Sequence, residues 1–226
     1  MMDGHEIAEA VKRLPPLPEK MQALPRDHRG FPVPWFVAWV DGKADFRIAD
    51  AAKMVAAVKQ SLCWVCGQRL WARKAFLIGP MCAINRVSSE PPSHRECATY
   101  SAVACPFMTR PRMRRNEKNL PDGHELPGGE MIRRNPGVGL VWVTKSYKVF
   151  QTPNGPLFEV GAPTECRWYA EGREATRDEI MASIESGRPL LEEPAKAEGP
   201  EAHAAFLKMY ERAMRLVPVA SVQPDA

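Results

Sequence analysis

The chain has 226 residues, 45% hydrophobic and 26% charged, a usage that builds an ordinary folded core and excludes a disordered or fibrous protein. Proline is the outlier: 22 residues, twice the usual ~5% share, so short elements and many turns are expected. The net charge is +4, no apolar run reaches the ~18 residues of a membrane helix, and the N-terminus lacks a secretory pattern. These features predict a cytoplasmic protein without a membrane partner, whose six cysteines serve as metal ligands or buried thiols rather than disulfides.

Residues 1–26 read as a peripheral segment. His5 to Arg13 has the pattern of a short amphipathic helix, and PPLP (15–18) breaks it and acts as a stiff connector. WFVAWV (35–40) is apolar and β-prone, Asp41-Gly42 is a hairpin turn, and Ala44 to Ile48 supplies the return strand. Asp50 is placed to cap a helix over 51–62, with Met54, Val55, Val58 and Leu62 on one stripe. This ββα unit leads into Cys63 and, with the cysteine-rich segment after it, forms a predicted domain over 27–118. A glycine- and proline-rich linker follows over 119–135.

The predicted second part covers 136–217. Four strand candidates (140–143, 148–150, 157–160 and 166–169) suggest one small antiparallel sheet, with Asn154-Gly155 at a turn. TRDE (176–179) is a capping box opening a helix that stops at Gly187. A last helix begins near Pro200, with Phe206, Met209, Tyr210, Ala213 and Leu216 on its apolar face. Residues 218–226 read as a loose tail. The expected class is α+β: a ββα element, a zinc finger, and a small antiparallel sheet with two flanking helices.

CWVCG (63–67) carries the clearest chemistry. Glycine after the second cysteine favours a tight knuckle whose amides face the sulfurs, rather than a redox pair opening a helix. After twenty-seven intervening residues, PPSHREC (91–97) supplies His94 and Cys97. They are three apart and share one face of a helix that Ser93 and Glu96 are placed to cap. Cys63, Cys66, His94 and Cys97 make a closed tetrahedral set for structural Zn²⁺. With Trp71 to Ile78 as a hairpin between the pairs, the arrangement is treble-clef-like. Cys82 in place of His94 gives an all-cysteine alternative. Cys105 lies ~12 Å along the helix from Cys97, at ~1.5 Å per residue, too far to share the ion. Cys166 falls on a strand and reads as a buried thiol.

From Ser61 to Lys118 there are ten Lys/Arg against three Asp/Glu. Arg95, Arg110, Arg112, Arg114, Arg115 and Lys118 are candidate phosphate contacts for DNA or RNA. Trp64, Trp71, Phe76 and Tyr100 are candidate stacking partners. No base-reading code is visible, so binding would rest on phosphates and weaken with salt. A docking surface for a phage or host protein is the alternative. Segment 67–80 lacks the histidine an HNH nuclease needs, and the His-x-Glu and Pro-Cys-x-x-Cys pieces of a zinc deaminase are absent. The remaining enzymatic candidate is a ligand-binding loop of Asn85, Arg86, Ser88, Ser89 and Glu90, held rigid by the finger.

GPMCAINRVSSEPPSHRECATYSAVACPF (79–107) and FEVGAPTECRWYAEGREATRDEI (158–180) carry a resemblance. The words CWVCG, GPMC, INR, EPPSH and ACPF, in that order, resemble a family of bacteriophage and prophage proteins to which no activity is attached. The likeness spans roughly residues 27–190. It implies a phage or bacterial origin and transfers no catalytic residue. The resulting expectation is a phage- or prophage-encoded zinc-binding accessory protein that contacts nucleic acid through residues 95–118.

Overall fold

Asp41 and Gly42, with φ of 49° and 73°, turn β1 (Val37–Val40) back into β2 (Lys43–Ala49), as the Asp-Gly pair predicts. The Asp50 carboxylate then accepts from the amides of Ala52 and Lys53 and starts α1 (Ala51–Gln60). Met54 and Val58 pack against the main core, whereas Val55, expected on the same stripe, is exposed. The computed structural model describes residues 9, 11–111, 113–118, 120 and 134–219. Most of the helix expected over 5–13, most of the 119–135 linker and nearly all of the tail lie outside the described residues. No described helix is long and apolar enough to cross a membrane.

After the cysteine knuckle come β3 (Lys74–Ile78), α2 (Pro80–Asn85), the two-residue β4 (Val87–Ser88) and α3 (Arg95–Ala104). The hairpin expected within 71–78 does not form. Instead β3 pairs antiparallel with β5 (Gly139–Thr144), Phe76 standing opposite Trp142. The reason is in KAFLI: it is apolar on both faces, and a strand in a small finger would leave one of them in water. β8 (Pro163–Ala170) and β9 (Arg173–Glu174) complete a four-stranded sheet in the order β3-β5-β8-β9.

β6 (Tyr147–Thr152) and β7 (Gly155–Val160) do not continue that sheet, so the single meander expected from the sequence is two sheets. They join β4 in a second sheet ordered β4-β7-β6, with Val87 opposite Glu159. Each sheet therefore draws strands from both sides of the 119–135 segment.

The four-stranded sheet is covered on both faces. Ala75, Val141 and Val143 meet α3, where Ala98 and Ala102 permit close approach. The alternate residues Phe76, Ile78, Leu140 and Trp142 enter a larger core with Phe158, Trp168, Ile180 and Ile184. Every position of β5 is buried, which is why GLVWVT reads as one apolar run.

Among the described residues, three helices follow the sheets rather than two. The predicted capping box opens α4 (Arg177–Gly187): the Glu179 amide donates to Thr176 Oγ1 at 3.3 Å, and the Thr176 amide donates to the Glu179 carboxylate at 2.8 Å. α4 ends at Gly187 as expected, but no loop follows, because Arg188 is right-handed helical and leads directly into α5 (Pro189–Glu198). Pro189 suits a first helical position; Pro194 removes one internal hydrogen bond, and Arg188–Glu192 and Lys196–Glu193 pairs line the outside. α6 (Pro200–Met214) starts where predicted, and its Phe206 and Ala213 pack on Met81 and Ile84 of α2. A hydrogen bond from Arg173, then those from Thr176, hold Glu179 down to about 2.

A carboxylate with a lowered folded pKa stabilises the fold above its unfolded value and ceases to do so as pH falls through the folded one. The stability gap between wild type and Glu179→Gln in denaturant melts is therefore expected to be full near neutral pH. It should close between pH 4.5 and about 2. Thr176→Ala should cost ~1 kcal/mol at neutral pH.

Candidate metal centre

Ser61, at φ 55°, ends α1, and residues 62–69 fold into a tight loop. Leu62 bridges Arg69, the Cys63 amide donates to Gln68 O at 2.7 Å, and the Gly67 amide donates to Cys63 O at 2.8 Å. Gly67 has φ +75°, and a Cβ there would stand 2.7 Å from the Trp35 ring, so both backbone and packing demand glycine. The sulfur of Cys63 accepts from the amides of Cys66 at 3.4 Å and His94 at 3.3 Å.

The second ligand pair arrives by a different route from the predicted capping box. Ser93 exchanges both backbone hydrogen bonds with Ala75, and Glu96 binds Lys20 at 2.7 Å. His94 is itself the N-cap of α3 and has no side-chain cap bond, because its imidazole is committed to the sulfurs. Cys97 sits in the first turn behind it.

The ligand atoms of Cys63, Cys66, His94 and Cys97 all lie within 4.8 Å of one another, and all four residues are buried. This group could hold a metal ion. His94 Nδ1 is 3.3 Å from Cys66 Sγ and 3.9 Å from Cys97 Sγ. Its Nε2 is 3.1 Å from Arg69 O. A carbonyl only accepts, so Nε2 carries a proton; Nδ1 faces the sulfurs and would present its lone pair to a metal ion once its own proton is displaced. At Cys63 burial opposes the thiolate, but hydrogen bonds from Cys66, Cys97 and His94 outweigh it and lower the pKa. Burial likewise opposes charge on His94, yet the Cys63 and Cys66 sulfurs raise it to about 10. Hydrogen bonds to Cys63 and Cys66 push the Cys97 thiol up, so thiolate, the form that binds metals, is favoured at Cys63.

Around the sulfurs lie Met21, Val65, Leu70 and Tyr100, with Leu17 and Leu24. Residues 17–24, read from sequence as peripheral, thus cover the cluster, and Met21 is fully buried. The signal was present as apolar residues at 17, 21 and 24, one side of a turn, but the prolines obscured it. The other cysteines lie elsewhere. Cys82 on α2 and Cys166 on β8 pack against the main core, where burial pushes each thiol up to about 11; Cys105 caps the end of α3.

In the polar loop, Asn85 Oδ1 accepts from the Val87 amide, and Ser88 Oγ donates to Glu90 O and accepts from the Glu90 amide. These bonds stay within the loop. Ser89 is half-exposed. Arg86 lies 5.4 Å over the Trp142 ring, and its Nε is buried without a partner among the described residues.

The basic residues divide in their roles. Arg95 pairs with Glu165 at 2.6 Å, and Arg115 donates to Arg47 O at 2.6 Å. Arg110, Arg114 and Lys118 are exposed, while Arg112 lies outside the described residues. Of the four stacking candidates, Trp64, Phe76 and Tyr100 are buried and cannot reach a base; Trp71 is exposed. No family model, curated protein or solved structure matches the chain.

Gly67→Ala is expected to destabilise the protein by about 1–3 kcal/mol. Gly42→Ala is the matched control: its φ of +73° is nearly the same, but a Cβ there meets nothing within 4 Å. Equal losses for the two variants in urea melts would mean that the Trp35 contact contributes nothing.

Proposed function

We propose that Cys63, Cys66, His94 and Cys97 hold Zn²⁺ in a structural role, within a treble-clef-like finger whose strand, β3, is lent to the central sheet. The carrying observation is the donor set itself: three sulfurs and one imidazole, mutually within 4.8 Å and all buried. Such a sulfur-rich, four-ligand set suits tetrahedral zinc, and having all four positions filled by protein suits structure rather than catalysis. The Arg69 carbonyl on His94 Nε2 supplies the outer hydrogen bond that orients a metal-ligating histidine.

On this frame the protein acts as an accessory factor of phage or prophage origin that contacts nucleic acid through its basic surface. The excess of ten Lys/Arg over three Asp/Glu in residues 61–118, with Arg110, Arg114 and Lys118 exposed after the metal-bound helix, supports that reading. Arg95 and Arg115 have internal partners and contribute less. A protein partner retained in pull-downs after charge reversal at Arg110 and Arg114 would favour an interaction module instead.

Metal analysis of purified protein should give stoichiometric zinc, lost together with the fold in Cys97→Ser and kept in Cys82→Ser. Zinc kept in Cys97→Ser, or lost in Cys82→Ser, would sink the ligand assignment. Binding to a labelled DNA duplex should fall steeply with salt, and each lost phosphate contact should reduce the log–log slope by ~0.9. Arg110→Glu with Arg114→Glu should weaken binding further; affinity that is flat across salt would dismiss the nucleic-acid reading.

A further inference from the structure

Between Asp50 and Glu90 the sequence contains no acidic residue and six basic ones. Three of the six fall in RLWARK (69–74), the loop that runs from the metal knuckle into β3. At its centre Trp71 is 72% exposed, the highest value for any large aromatic among the described residues. Arg69 and Arg73 are exposed as well, and neither they nor Lys74 forms an ion pair with a carboxylate among the described residues.

This loop is held firmly. Arg69 O accepts from the metal-ligating imidazole, and the Leu70 amide donates to Ser61 O at 2.8 Å. The Leu70 side chain is buried among the sulfurs. On the other side Lys74 Nζ donates to Trp71 O at 3.0 Å where β3 begins. An indole kept in water by a rigid loop forgoes the burial of a large apolar surface. Rigid presentation also lowers the ordering cost when a ligand covers the ring. Gln68, next to Arg69, lines a groove of about 300 Å³ whose other walls include Trp35, Trp39, Lys20 and Lys53. Lys20 and Lys53 are paired with Glu96 and Asp50, so the groove adds aromatic surface more than charge.

Resting on the nucleic-acid reading above, we infer that the RLWARK loop and the adjoining Trp35/Trp39 groove form a binding surface for single-stranded nucleic acid. Trp71 stacks on an unpaired base, and Arg69 and Arg73 hold the flanking phosphates. Stacking on a side chain needs a base free of its own neighbours, which selects single strands over duplex. Cations without carboxylate partners beside an aromatic face match a chain that alternates phosphate and base. A lipid surface fits less well, because interfacial binding takes a broad apolar face, and Trp71 is the loop's one exposed large apolar side chain. The principal contact therefore lies on the knuckle side of the metal centre rather than at 110–118.

The test uses the zinc-loaded full chain and a fluorescent oligothymidine of about 20 nucleotides, with binding read by anisotropy. Trp71→Ala should weaken binding about 5- to 100-fold with zinc content and melting unchanged, and Trp71→Phe should recover most of it. Arg73→Ala should lower the salt slope by ~0.7. Blunt duplex binding should be indifferent to Trp71. If Trp71→Ala binds oligothymidine like wild type while Arg110→Glu/Arg114→Glu does not, this surface is wrong and the nucleic-acid reading stands. If wild type binds no oligonucleotide or duplex, both fall. Trp71-dependent binding to vesicles of anionic lipid without oligonucleotide binding would assign the loop to a membrane surface and overturn the inference.

Discussion

The structure depends on one closure: the chain leaves the cysteine knuckle at Gly67 and must return to it at His94. In the 27 residues between the ligand pairs it lays β3 along the edge of one sheet, turns through α2, and gives β4 to the edge of another. Closing a loop of that length costs an unfolded chain ~3–4 kcal/mol by the cross-link entropy estimate. The Ser93–Ala75 backbone bridge and the convergence of four ligand atoms perform the closure. Zinc on such donor sets contributes ~10–16 kcal/mol in small zinc peptides, so a metal ion bound with that strength here would more than offset the entropy.

That closure also explains why the two halves of the chain are not separate bodies. β3 and β4 both lie inside the loop between the ligands, and each is hydrogen-bonded to a strand from beyond residue 138. α3, which carries Cys97, packs its Ala98 and Ala102 against Val141 and Val143 of β5. The ligands therefore fix the register of strands that the C-terminal half must find. A loss of the closure propagates into both sheets, whereas a local defect in α5 or α6 leaves the ligands in place.

The ligand set, the Asp41-Gly42 turn, the Asp50 cap and the TRDE box were legible because each is a short-range relation, fixed by spacing along a few residues. What was not legible is long-range. Nothing in KAFLI names β5 as its partner, and the apolar pattern of YKVFQT does not say which sheet it will join. Short-range signals also fail where a stronger partner competes. Ser93 and Glu96 have the spacing of a capping box, but Ser93 is held by Ala75 and Glu96 by Lys20. Prolines misled near the N-terminus, where they hid the burial of Leu17 and Met21.

Charge is the least legible quantity of all, because a run of basic residues does not reveal how many are already engaged. In 110–118, Arg115 donates to the Arg47 backbone, and the Arg47 guanidinium, paired with Asp45, donates to Lys118 O at 2.7 Å. These bonds make the segment a strap fastened to β2, and part of its charge serves that attachment. RLWARK holds fewer cations, yet no described carboxylate pairs with them. The backbone of that loop is fixed instead by Ser61 and by the imidazole of His94, through bonds that leave its guanidinium groups facing solvent. An anionic chain meets less competition at the second surface than at the first, although the sequence concentrates more positive charge at the first. The four-residue Cys/His cluster meets this second surface at Arg69 O, which accepts from the His94 imidazole, and at Leu70, buried among the sulfurs, so cluster geometry and loop geometry are coupled.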